Sequence, residues 1–213
     1  VVLSLLVIGL PAWWRRRRDR PGESGQGRRV VLYFGGLGLG FLLLEVALLQ
    51  KLTLRLQHPV LAAAVVMSGF FVFAGLGSLA AGRATSEGSH RTAVRALAGV
   101  CVWGGVTLVA LHVGTPWLVS APLVVRLSAA LGLIGPLAFA MGMPFPLGLE
   151  ALRGRDPGLL PWAWGVNGCA SVVSPVLATV LAVLLGFSTV VLIGLVLYAA
   201  TATVFPDAAG AAE

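Results

Sequence analysis

Val30–Gln50 reads VVLYFGGLGLGFLLLEVALLQ, and only one of its 21 residues carries a charge. As an α-helix such a run rises about 31 Å, which matches the roughly 30 Å hydrocarbon layer of a bilayer. In lipid every backbone N–H and C=O must find its partner within the segment, and the helix is the single-segment solution. The run therefore predicts a membrane-spanning helix.

The same reading extends along the chain. Val60–Gly82, Thr92–Val113, Leu127–Leu149 and Leu160–Leu185 are apolar runs long enough to cross, and Phe187–Phe205 is a slightly shorter sixth. Each needs about 20 residues to do so. Val1–Trp14 has 14 uncharged residues, too few to cross, and is read as the end of a span whose start lies upstream. Its basic residues, Arg15, Arg16, Arg17 and Arg18, follow the apolar run, whereas a secretory leader carries them before it. Trp13 and Trp14 then mark the interface. The expected fold class is all-α, a polytopic transmembrane bundle of about six full spans plus a truncated N-terminal span. Its divisions are the truncated span at 1–14, an Arg-rich linker at 15–29, the bundle at 30–205 and a tail at 206–213. Gly114–Arg126, with two prolines and an arginine, is too short to cross and is expected to lie along the membrane surface.

Composition agrees. Hydrophobic residues make up 58% of the 213 and charged ones 11%, against about 25% charged in soluble domains. Eight acids and fifteen bases cannot cover a water-facing surface of this size. The net charge of +7 does not point to nucleic acid, because the bases cluster in short links between apolar runs instead of lining one face. They set orientation. Placing the linker in the cytoplasm keeps 12 of the 15 Lys and Arg there, leaving Lys51, Arg55 and Arg126 outside. The expected location is thus the inner (plasma) membrane, with linker and C-terminal tail cytoplasmic.

Few side chains in the spans can do chemistry. Glu45 stands near the middle of Val30–Gln50 among leucines, valine and alanine. An intramembrane acid faces the bundle interior or a wet cavity, and it marks either a cation or proton route or a structural hydrogen bond between helices. Asn167, Ser171 and Ser174 share one helix face at i, i+4 and i+7. Such a stripe lines a cavity or joins helices by hydrogen bonds. Pro175, just past it, removes a backbone donor. Gly142, Pro144 and Pro146 interrupt the fourth full-length run, Leu127–Leu149, near one end, which reads as a helix exit or, as in transporters, a broken helix that exposes backbone to a ligand. The GxxxG pair Gly36 and Gly40, and the series Ser68, Gly75, Ser78 and Gly82, read as helix-packing surfaces. Cys101 and Cys169 fall inside spans and read as small packing residues, with a redox pair as the alternative. His58, His90 and His112 lack any paired spacing, so no metal site and no cofactor are expected.

Five stretches in order, Tyr33–Lys51 (YFGGLGLGFLLLEVALLQK), His58 with Pro59, Gly75–Arg83 (GLGSLAAGR), Gly142–Gly148 (GMPFPLG) and Trp162–Gly168 (WAWGVNG), resemble the membrane region of spermidine synthase-like proteins. In those bacterial chains transmembrane helices are fused to an aminopropyltransferase-type domain. The family has glycine before the His-Pro pair, where this chain has Gln57, which concerns the shape of that turn. The resemblance implies a soluble synthase-like domain before Val1 as a partner of the helices. This chain itself offers no Gly-rich nucleotide turn with following carboxylates, so no catalytic residues are expected in it. Two functional expectations stand side by side: binding or passage of a small cationic, polyamine-like solute using Glu45, Asn167, Ser171 and Ser174, or plain anchoring and orientation of the fused enzyme.

Overall fold

A computed structural model of the protein describes residues 24–83, 88–113 and 121–206. The partial span Val1–Trp14, most of the linker and of the Gly114–Arg126 segment, and the tail from Asp207 lie outside the described residues. All regular elements among them are helical: α1 Ser24–Leu56, α2 Pro59–Ala81, α3 Ser89–Val113, α4 Leu123–Gly142, α5 Pro144–Arg153, α6 Leu160–Leu185 and α7 Phe187–Ala202, with a 3-10 turn at Pro157–Leu159 before α6. Five helical stretches are long and apolar enough to cross a membrane, α4 and α5 together forming one of them, and α7 is a shorter apolar helix. The chain is a multi-pass helical membrane protein.

Where the helices stop follows local chemistry. Pro59 opens α2 at a position whose N–H would be unsatisfied in any case. Asp156 accepts the Gly158 N–H at 3.0 Å and so starts the turn into α6. Gly186 alone joins α6 to α7, at φ 84 and ψ 154. Only glycine takes that backbone conformation readily.

Several boundaries differ from the sequence expectation. α1 begins at Ser24, so the last six residues of the expected linker are helical, and the helix runs on through Lys51 and Arg55. Polar and charged flanks, here Arg28, Arg29, Lys51 and Arg55, allow a helix to continue past the hydrocarbon edge, where its ends hydrogen-bond to water. α4 begins at Leu123, which puts Arg126 on a membrane helix instead of a surface segment. The break at Met143 is not a helix exit either: the chain resumes at once as α5. Pro144 and Pro146 occupy the first turn of α5, where missing N–H groups cost nothing.

α1 is the central helix, packing most extensively on α6 and α7 and also on α2, while α2 packs on α4 and α3 on both α4 and α7. Glycines set these approaches. A Cβ at Gly36 or Gly40 would meet Thr201 or Tyr198 of α7 at 2.6 and 2.9 Å, and one at Gly38 would meet the Asn167 carbonyl of α6 at 2.5 Å. The GxxxG pair is therefore a packing surface, against α7. In α2 the expected series does not pack: Ser68, Gly75, Ser78 and Gly82 are exposed, and the buried small residues are Ala62, Gly69, Gly77 and Ala81. The two sets lie on different faces of the helix, and only α4 decides which face is covered.

The outward faces carry large apolar side chains, such as Val60 at 83% and Val183 at 82% exposure. Patches of that kind belong to lipid in a protein of this composition.

Gln57 sits between α1 and α2 with φ 57, in the left-handed region that favours glycine. A side chain there costs on the order of 1 kcal/mol. Gln57→Gly is expected to leave stability unchanged or raise it by up to about 1 kcal/mol, whereas Gln57→Val should lower it by 1 kcal/mol or more. Thermal unfolding in detergent compares the two, and equal midpoints would show that the turn relaxes out of that conformation.

Candidate functional site

A cavity of about 380 Å³ opens between α1, α2, α6 and the α4–α5 break. Leu37, Gly38 and Phe41 of α1, Gly75 and Ser78 of α2, Gly142, Phe145 and Pro146 at the break, Asn167 and Ser171 of α6, and Tyr198 of α7 all line it. Five separate stretches of sequence thus converge on one hollow.

The break reaches the cavity because its glycines let it sit deep. A Cβ at Gly142 would lie 2.0 Å from the Ala74 carbonyl oxygen of α2, and one at Gly148 would lie 2.5 Å from the Tyr33 ring. The Tyr33 hydroxyl, fully buried, donates to the Pro144 carbonyl at 2.8 Å. Phe145 stacks edge-to-face between Phe34 and Trp164 with ring centroids 5.4 and 4.8 Å away. Edge-to-face pairs of this kind contribute about 0.5–1.5 kcal/mol each beyond their burial. The broken segment is thereby fixed on α1 and α6.

Two residues of the cavity wall have carbonyls that proline deprives of their helical donors. Pro146 has no N–H for the Gly142 carbonyl four residues back, and Pro175 has none for that of Ser171. Both Gly142 and Ser171 line the hollow. Backbone carbonyls without helical donors at membrane depth are groups with which transporters coordinate cations. Phe41, Phe71, Phe145 and Tyr198 add aromatic rings, whose faces attract cations.

The polar stripe of α6 divides. Asn167 donates Nδ2 to the Phe34 carbonyl at 3.1 Å and also lines the cavity. Ser171 lines it as well and makes no side-chain hydrogen bond among the described residues. Ser174 is fully buried and donates to the Leu39 carbonyl at 2.7 Å, joining α6 to α1.

Glu45 does not line the cavity. It lies one turn past Phe41 and two past Gly38 on the same face of α1, and helical side chains lean back toward the N-terminus, here toward the cavity floor. It is 6% exposed, and among the described residues it has neither a hydrogen bond nor an ion pair. Leaving a carboxylate bare at such depth costs about 2.5–3.5 kcal/mol on insertion scales.

The remaining candidates stand apart. His58 caps the start of α2, exposed and without a side-chain cap bond, and Pro59 follows it, both far along the chain from the break. Cys101 donates weakly to the Leu195 carbonyl at 3.6 Å, and no disulfide joins it to Cys169. No group of three metal-ligating side chains occurs among the described residues. The sequence reading missed Gly38, Phe41, Ser78 and Tyr198 as cavity residues. Nothing in an apolar run distinguishes a phenylalanine facing a hollow from one facing lipid. No family model matches the chain, and no curated protein and no solved structure does either.

Proposed function

We propose that this bundle is the membrane-resident binding unit of a spermidine synthase-like protein of the inner membrane, taking a small cationic, polyamine-like solute into the cavity from the cytoplasmic side. The reading rests on one observation: Gly142 and Ser171, whose carbonyls lack their helical donors, line a single hollow together with Asn167 and four aromatic rings, and the α1 face that borders it also carries the unpartnered Glu45. Each of these groups favours a cation, and no basic residue lines the hollow. An ammonium group would enter between the carbonyls of Gly142 and Ser171, its alkyl chain would run along the rings, and the Glu45 carboxylate would supply the counter-charge. The linker and the Arg83, Arg91, Arg95, Arg153 and Arg155 end would face the cytoplasm, where a fused synthase-like domain would meet the same solute.

The test is equilibrium binding of labelled spermidine to the protein in liposomes. Saturable binding that Glu45→Gln removes, with folding intact, is the expected result; equal binding by the variant would defeat the assignment.

One observation favours anchoring alone: Asn167 and Ser174 both hydrogen-bond to α1 carbonyls, as helix-joining residues do. On that reading labelled spermidine shows no saturable binding, and an unrelated anchor substitutes for the bundle without loss of the fused enzyme's activity.

A further inference from the structure

The end of the bundle away from Arg28 and Arg29 gathers three cations. Arg55, in the last turn of α1, donates Nη1 to the Lys51 carbonyl at 3.1 Å and Nη2 to the Leu111 carbonyl in the last turn of α3. Arg126, in the first turn of α4, donates Nη1 at 3.3 Å to the carbonyl of Leu56, the last residue of α1. Two guanidinium groups thus sit on the negative ends of two helices and tie three helix ends together.

These contacts satisfy carbonyls but leave net positive charge. Lys51 and Arg55 are one turn apart on α1, a like-charge spacing that costs stability. Among the described residues no carboxylate stands nearby to offset it: 50–60, 110–113, 121–127 and 183–190, which make up this end, contain neither Asp nor Glu. The Lys51 side chain makes no hydrogen bond among the described residues.

The surroundings of the cluster are apolar. Leu54, Val60, Val113 and Val124 at the same level are 71%, 83%, 72% and 73% exposed. A soluble anion gains nothing from that rim, whereas a lipid uses both parts, phosphate on the cations and acyl chains on the rim. We propose that this end of the bundle binds the headgroup phosphate of an anionic phospholipid, held by Lys51, Arg55 and Arg126. Guanidinium suits the task because its fork matches a phosphate bidentately. The inference is independent of the cavity reading, since none of the three cations lines that cavity.

A local reporter tests it in the whole chain. With Cys101→Ala and Cys169→Ala, a bimane attached at Leu54→Cys reports lipid at this end, about 38 Å of helix from Arg29. Spin-labelled phosphatidylglycerol should quench it with an apparent affinity at least about fivefold above that of spin-labelled phosphatidylcholine, the weight of one basic residue near an anionic surface. Lys51→Gln, which removes no protein hydrogen bond, should cut the preference about fivefold, and added salt should cut it further. Arg126→Gln should do the same, with its unfolding midpoint recorded because it also unties α4 from α1. Equal quenching by the two lipids, a preference untouched by Lys51→Gln, or displacement of the lipid by millimolar inorganic phosphate would each overturn the proposal.

Discussion

Gly142→Ala is expected to cost on the order of 3 kcal/mol, the top of the usual range for overpacking a well-fitted interior. The new methyl carbon would lie 2.0 Å from the Ala74 carbonyl oxygen and 2.7 Å from its carbon. Those are backbone atoms in the middle of α2, so no side chain can turn aside to admit it. Gly77→Ala should cost as much for the reciprocal reason, since its Cβ would stand 2.0 Å from the Phe139 carbonyl oxygen of α4. The double variant should lose less than the sum, because once the two helices separate both methyl groups have room. Gly75→Ala is the control: nothing lies within 4 Å of that Cβ, and alanine should be neutral or stabilising by up to about 1 kcal/mol. Denaturant unfolding in detergent measures all four. A Gly142→Ala loss below about 1 kcal/mol would mean that α2 and α4 can part at little cost.

Glu45 is expected to lie on the opposite side of the balance between stability and use. Glu45→Leu should stabilise the bundle by about 2 kcal/mol, since it replaces an unpartnered acid with an apolar side chain at the same depth. Glu45→Gln should weaken binding of a cationic solute about 100-fold or more, the scale of removing one member of a buried charge pair. The two measurements separate the readings. Stabilisation with loss of binding marks a site kept at the expense of stability, whereas a Glu45→Leu loss of more than about 1 kcal/mol would mark the acid as a helix-joining residue.

The spans were readable from the chain because lipid imposes a single requirement, a sufficiently long apolar helix with its own hydrogen bonds. Leu160–Leu185 and the start of α7 at Phe187 fall where the apolar runs place them, with Gly186 the evident punctuation. The ends of α1 were less legible, since hydropathy marks where the hydrocarbon stops and not where the helix does. For the candidate site, the residue types were visible but their assignment was not. Asn167, Ser171 and Ser174 form one stripe in sequence, yet Ser174 is directed to Leu39 and Ser171 to the hollow, a division set by how α1 lies across α6.

The sequence by itself determined the class of the molecule: a helical membrane bundle, its breaks at proline and glycine, and an acid with no basic residue in its own span before Lys51. Tertiary structure alone decided which small residues touch. Gly75 and Gly77 are two positions apart, equal in every local property, and one is open while the other lies against the backbone of α4. It also decided that a double proline resumes as α5 instead of leaving the membrane, and that carbonyls released by Pro146 and Pro175 belong to residues lining the same cavity. The physical reason is that lipid acts on each helix separately, through its length and polarity, whereas close packing depends on which two faces meet, and no single helix carries that information.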